Sequence, residues 1–322
     1  MSQSVLITGA NSGLGFEAAA QFATGGFTRV VLGCRSLEKA TAARDALEAR
    51  TGLRHIFEVL ELDLSRLEAV RAATRALAKR GSLDVLVLNA GVLPGKELVH
   101  TEDGIEITSA ASLTGHHVLT LGLLDRGLLA PRARIVIAGS EGARGDAPGM
   151  KPLDLRAFAS EHFSGKLEAA VHAVLTMQPP AVHHWSTTYC TSKALVALWA
   201  KALALHLPKG MAVYAVSPGN VPSTNAVRHQ SWSFRAMIKL ADVIGPLMGM
   251  ASSVSTGARR YWDAARLADE VSGEFFASPK GKLVGPLTVQ RVPHLTDAEC
   301  AAACWDAVLR ATAERQPRLS AA

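Results

Sequence analysis

Short runs rich in Val, Ile and Leu recur along the chain: Val5 to Thr8, Arg29 to Gly33, His55 to Asp63, Leu83 to Asn89, Arg134 to Gly139 and Met211 to Ser217. Each gives way to a longer stretch with helical spacing. Such alternation folds most simply as parallel strands joined by helical crossovers. Several runs are apolar at consecutive positions, which means strands buried on both faces and not half-exposed ones. The expected fold class is therefore α/β, a doubly wound parallel sheet with helices on both faces. A seventh candidate strand is Gly273 to Ala277, and an amphipathic helix around Ala298 to Glu314 closes the pattern.

Two stretches break the rhythm, about 141–188 and 222–257. Both follow predicted strand ends, where an open parallel sheet opens its ligand crevice. They are expected to form the walls and lid of a substrate pocket. The second carries Trp232, Phe234, Ile238, Ile244, Leu247, Met248 and Met250, an apolar content that suits a lid or a partner surface. No repeat or low-complexity linker divides the 322 residues, so residues 1–322 are read as a single domain.

The net charge of +6 is spread over Ala- and Leu-rich helical stretches. Without a basic run or a basic-aromatic stripe, the expectation is no nucleic-acid partner and a mild attraction for anionic small molecules. Cys34, Cys190, Cys300 and Cys304 form neither a CxxC pair nor a disulfide framework, which reads as reduced thiols in a cytoplasmic protein. Cys300 and Cys304 are one helical turn apart, but no matching His or Cys pair accompanies them, so no metal site is expected. The N-terminus shows no leader pattern, and the apolar segment 236–250 is interrupted by Lys239 and Asp242, so neither secretion nor a membrane span is expected.

The first strand runs directly into Gly9-Ala10-Asn11-Ser12-Gly13-Leu14-Gly15 and then a helix. Glycines at a strand-to-helix junction let the backbone approach a pyrophosphate, whose charge is met by N–H groups at the helix start. At the end of the second strand an NAD-binding protein would offer a carboxylate to the adenosine ribose. Here Gly33-Cys34-Arg35-Ser36 offers Arg35, suited to a 2′-phosphate, with Ser12 beside it. The expected cofactor is NADP(H). Asp63, with Leu64 after it, closes the third strand where adenine would lie, and Asn89-Ala90-Gly91 closes the fourth. Strand-end caps or turns would use the same residue types.

Tyr189 and Lys193 are four residues apart and share one helical face. An ammonium beside a phenol favours the phenolate and is expected to lower the tyrosine pKa. Ser140, at the end of the fifth strand, could orient a carbonyl oxygen while Tyr189 protonates it.

With these residues assembled, the chain resembles the short-chain dehydrogenase/reductase family over nearly its whole length, through Thr8-Gly9 to Gly15, Asn89-Ala90-Gly91, Ser140, Tyr189 to Lys193, and Pro218-Gly219. The resemblance implies a Rossmann-type oxidoreductase in which Tyr189 is the general acid or base and Ser140 orients the substrate. It implies that Lys193 perturbs Tyr189 and binds the nicotinamide ribose, and that Val221 and Ser223, after Pro218-Gly219, hold the carboxamide. Within the family it looks closest to the retinol dehydrogenase and protochlorophyllide reductase branch, from Cys34-Arg35, Gly115-His116 and Ser272-Gly273-Glu274-Phe275-Phe276. The implied substrate is an apolar carbonyl or alcohol. Family members are commonly dimers or tetramers, which leaves a homo-oligomer open.

Three residues depart from the family pattern. Ser112 stands where an asparagine kinks a helix and anchors a water chain to the lysine. Glu141 follows Ser140 directly, and a carboxylate there is expected to turn toward the inserted segment or solvent. Asn220 replaces the cysteine of the pigment enzymes. Two alternative readings stay open, a protochlorophyllide-type double-bond reductase and a non-catalytic dinucleotide-sensing module.

Overall fold

The computed structural model describes residues 3–147, 149–221 and 251–313. Its frame is one eight-stranded sheet in the order β3-β2-β1-β4-β5-β6-β7-β8. The strands are β1 (Ser4–Thr8), β2 (Arg29–Cys34), β3 (Phe57–Glu61), β4 (Leu83–Leu88), β5 (Leu129–Ala138), β6 (Ala212–Val216), β7 (Phe275–Ala277) and β8 (Thr288–Val289). Every pairing is parallel except β7 with β8.

The consecutive apolar runs have the consequence expected of them. Along β1, Val5 and Ile7 pack into one core and Leu6 into the other; along β5, Ile135 and Ile137 pack opposite Val136 and Ala138. Successive side chains in a strand point to opposite faces, so both faces are dry only if helices cover both. One face is covered by α1 (Gly13–Thr24), α2 (Leu37–Thr51) and α8 (Val254–Ala264). The other is covered by α3 (Leu67–Leu77), α4 (Gly115–Asp125) and α7 (Trp185–His206). Outside α7 lie α5 (Leu155–His162), α6 (Leu167–Thr176) and the last helix, α9 (Ala298–Thr312).

Residues 155–176, part of the first predicted insert, add Phe158, Ala159, Ala170, Val171 and Leu175 to the core beneath α9. Burying such side chains is worth about 1.5–3 kcal/mol each for the larger ones. The second predicted insert falls largely outside the described residues, Trp232 and Ser223 with it.

Chain order reverses between β1 and β4, so the helices after these two strands leave in opposite directions. That reversal opens a crevice at the carboxyl ends of the strands, where Gly9, Asn89, Ser140 and Ser217 all lie.

Candidate active site

At the end of β1, Gly9 and Gly13 take positive φ values of 67° and 54°, which let the chain turn at once into α1. A Cβ at Gly15 would stand 2.4 Å from the Gly9 carbonyl oxygen, so only glycine admits this close helix–strand contact. The Ser12 side chain does not cap α1, whereas Ser36, Asp154, Ser253 and Asp297 cap α2, α5, α8 and α9. The start of α1 thus keeps N–H groups and the positive end of its dipole for an anion, the arrangement a pyrophosphate requires.

The turn is tied to its neighbours on both sides. Gly9 N–H donates to the Gly33 carbonyl at 2.7 Å, and the N–H groups of Ala10 and Asn11 point at the Cys34 sulfur. This brings exposed Arg35 next to the glycine turn, and among the described residues no carboxylate pairs with it. Asn89 Nδ2 donates to the Thr8 carbonyl at 2.9 Å and Ala90 N–H to Thr8 Oγ1 at 2.9 Å. Asp63 Oδ1 accepts from Ser65 N–H and Ser65 Oγ, a turn cap, and Leu64 is buried in the core.

Thr8 also meets His116 Nε2 at 2.9 Å, and His116 Nδ1 meets the Ser112 carbonyl at 3.2 Å. A carbonyl only accepts, so Nδ1 carries the proton and Nε2 accepts from the Thr8 hydroxyl. Burial pulls His116 down to about 3 and keeps it neutral, consistent with that tautomer. Ser112 itself sits in a π-helical turn, Ala110–Thr114, the kink that the family asparagine marks. Its buried Oγ has no partner among the described residues and lies on the side of Gly91 and Lys193: a Cβ on Gly91 would stand 3.1 Å from it and 3.8 Å from Lys193 Nζ.

Tyr189 and Lys193 project from one face of α7 toward the end of β5. The Tyr189 phenol interacts with the Ser140 side chain, whose Oγ accepts from Gly142 N–H at 3.1 Å. Lys193 Nζ donates to the Ala138 carbonyl at 2.8 Å, and burial lowers its pKa to about 8. The expected lowering of the tyrosine is not found. Burial pushes Tyr189 up to about 12, opposed by the Ser140 hydrogen bond, and Lys193 is not among the groups that set it. Its ammonium is spent on a main-chain carbonyl, and desolvation of the phenol prevails.

Glu141 also departs from expectation. It is buried at 5% exposure, facing neither solvent nor the insert, because Arg260 from α8 reaches it across the end of the sheet. No spacing in the sequence joins these two residues, 119 positions apart.

Residues 3–152 match the family model for short chain dehydrogenase. Human retinol dehydrogenase 12 is 31% identical over 288 residues, spanning 88% of this chain and 79% of the relative. The chain belongs to the short-chain dehydrogenase/reductase family. It stands in the retinol dehydrogenase-like branch. Protochlorophyllide reductase of Chlamydomonas reinhardtii is 41% identical, but over 143 residues, 43% of this chain and 35% of the relative. Among solved structures, an actinorhodin polyketide ketoreductase with NADPH aligns with a TM-score of 0.61 and 24% identity, covering 85% of this chain and 94% of the other.

In this short-chain dehydrogenase/reductase the crevice gathers Gly9 to Gly15, Asn89 to Gly91, Ser112, Ser140, Tyr189 and Lys193 around the ends of β1, β4 and β5. Pro218, Gly219 and Val221 approach from the end of β6: a Cβ on Gly257 would meet Leu14, Val221 and the Pro218 carbonyl within 3.0 Å. That contact joins the nearer turn of the crevice to its first glycine turn. Sequence reasoning missed Thr8 and His116 as linking groups; the only signal was the Gly115-His116 pair. Among the described residues no three His, Cys, Asp or Glu side chains gather as a metal would need, and no helix is long and apolar enough to cross a membrane.

Proposed function

We propose that this oxidoreductase interconverts the carbonyl and alcohol forms of an apolar substrate with NADP(H), using Tyr189 as proton donor and acceptor. The observation that carries the reading is the gathering of Tyr189, Ser140 and buried Lys193 at the end of β5, where Lys193 Nζ donates to the Ala138 carbonyl at 2.8 Å and lies 3.8 Å from where a Cβ on Gly91 would stand. The residues fit a dinucleotide: an uncapped helix start, glycines that tolerate no Cβ, and the orphaned Ser112 hydroxyl beside Gly91 and Lys193. When bound, the nicotinamide supplies or accepts the hydride.

The protein's own residues handle the proton and the geometry. At neutral pH the Tyr189 phenol is protonated, the form needed to protonate a carbonyl oxygen during reduction. Ser140 offers its hydroxyl to the same oxygen and holds the phenol in line. Lys193 brings a cation to the crevice at pH values below about 8, where it opposes charge developing on that oxygen. Alcohol oxidation needs the phenolate, and rises with pH.

Arg35 beside the glycine turn supports NADP over NAD, as does the NADPH named with the ketoreductase. An apolar substrate is supported by exposed Trp185, one helical turn before Tyr189, and by exposed Val182. His183 Nε2–H donates to the Gly95 carbonyl at 3.1 Å, which ties the segment after β4 to the start of α7.

The test is a steady-state assay of NADPH and NADH oxidation against ketones, aldehydes and retinoids. Tyr189→Phe should cut kcat by about 10³-fold or more while NADPH affinity stays within about threefold. Arg35→Asp should reverse the preference between the two cofactors. Undiminished turnover in Tyr189→Phe would remove the mechanism, and a parent that binds NADH and NADPH equally would remove the NADP assignment.

A further inference from the structure

Glu141 and Arg260 meet below the crevice, each 5% exposed, with both carboxylate oxygens and both Nη atoms hydrogen-bonded. Glu141 Oε1 accepts from Ser278 Oγ at 2.9 Å, from Ser278 N–H at 3.2 Å and from Arg260 Nη1 at 3.5 Å. Glu141 Oε2 accepts from Ser217 Oγ, which in turn accepts from Gly219 N–H at 3.1 Å. Arg260 spans the same ground from the other side, donating to the Ser217 carbonyl at 2.9 Å, to Ser278 Oγ at 3.1 Å and to the Gly285 carbonyl at 2.6 Å.

Gly219 rests directly on the guanidinium. With φ at 85° and the Arg260 Nη1, Cζ and Nη2 atoms 3.2–3.4 Å from where a Cβ would be, this turn is shaped against the arginine. Arg260 lies one helical turn beyond Gly257, whose bare Cα admits Pro218 and Val221. Glu141 follows Ser140 in the chain, so the same pair also anchors the residue that faces the Tyr189 phenol.

We infer that the buried Glu141–Arg260 pair positions the nicotinamide end of the site, fixing the Ser217–Val221 turn and the Ser140 hydroxyl relative to each other. Neither residue touches substrate or cofactor; both act through Ser217, Gly219 and Ser140. A planar fork that reaches four acceptors in different loops cannot be replaced by an ammonium, which keeps the charge but loses the geometry. The inference rests on the dinucleotide reading of the crevice.

The experiment compares the parent with Arg260→Lys and with Glu141→Gln/Arg260→Met, each checked for folding by circular dichroism and melting. NADPH binding is then followed by nicotinamide fluorescence, and kcat and KM are measured per folded molecule. Arg260→Lys keeps the ion pair, and the double variant removes both buried charges, so both should fold. In both, NADPH should bind about tenfold more weakly or worse, and KM for the cofactor should rise more than kcat falls. Variants that fold and bind NADPH as the parent does overturn the inference and leave the dinucleotide reading intact. A parent that binds no NADPH overturns that reading, and the inference with it.

Discussion

Two polar clusters hold the carboxyl edge of the sheet together, and they are built differently. At β1 and β4 a neutral chain runs from Ala90 N–H through the Thr8 hydroxyl and His116 to the Ser112 carbonyl. At β5, β6 and β7 a charged cluster, Glu141 with Arg260, gathers Ser217, Ser278 and Gly285. The neutral chain joins elements already well held by neighbouring strands and by the apolar cores on both faces. The charged cluster joins the loops after β5 and β6 to β7, which is three residues long and pairs with β6 at only Ala215–Phe275 and Val216–Phe276. Where strand pairing is long, a few matched hydrogen bonds suffice; where it is short, an ion pair with many acceptors takes over, at the cost of depending on both partners.

That contrast can be broken most sharply by Arg260→Met alone. It leaves the Glu141 carboxylate buried without its cation, and should lower unfolding free energy by about 3–5 kcal/mol in urea titrations. The double variant with Glu141→Gln should recover most of the loss. A single variant as stable as the parent would mean that the charged cluster carries no weight.

Acid acts on the neutral side. Burial lowers His116 to about 3 and His117 to about 4, so both stay neutral in the folded chain while the unfolded chain protonates near 6.5. Below pH 6.5 the unfolded state then binds more protons, and stability falls as pH drops. By pH 4 each histidine should contribute on the order of 3 kcal/mol of that loss. His117 accepts from Trp199 Nε1 through its Nδ1, and His117→Gln keeps an acceptor there without titrating. It should flatten the fall in melting temperature between pH 6.5 and pH 4, and an unchanged slope would contradict the assignment.

The smallest effect is expected from Thr8→Val, which preserves shape but leaves Ala90 N–H and His116 Nε2 without a partner. A loss of about 1–3 kcal/mol in the same titrations would sharpen the comparison, being below that of Arg260→Met. A larger loss than the arginine variant would reverse it.

The strands were legible because burial on both faces leaves a plain mark, an unbroken apolar run, and that mark gave the seven parallel strands. Their limits were less so. The third strand starts at Phe57, two residues after His55, which takes a positive φ of 65° that ends regular pairing. The fifth starts at Leu129, where Pro131, Arg132 and Arg134 hid an extended stretch among polar residues. β8 has two residues and cannot show a period. In the site, Tyr189, Lys193, Ser140 and the glycine turn stood out because their chemistry is tied to spacing or to a strand end. The tyrosine pKa did not follow, since desolvation depends on the surrounding fold and not on the neighbour four residues away. Arg260 left no sign at all; its partner lies 119 positions earlier, and a lone arginine on a helix reads as surface charge.

The outer face of α7, the helix bearing Tyr189 and Lys193, is covered by α9, the last helix described, and α6 packs against α9 in turn. Synthesis proceeds from the amino end, so on the ribosome that helix exists for more than a hundred codons before its cover does. Until residues 298–312 emerge, Leu195, Leu198 and Trp199 lack part of the surroundings that keep them dry. The nascent chain therefore completes its first glycine turn early and the surroundings of its proton-transfer helix last, so truncations that reach into residues 298–312 should lower turnover although they remove no residue of the crevice.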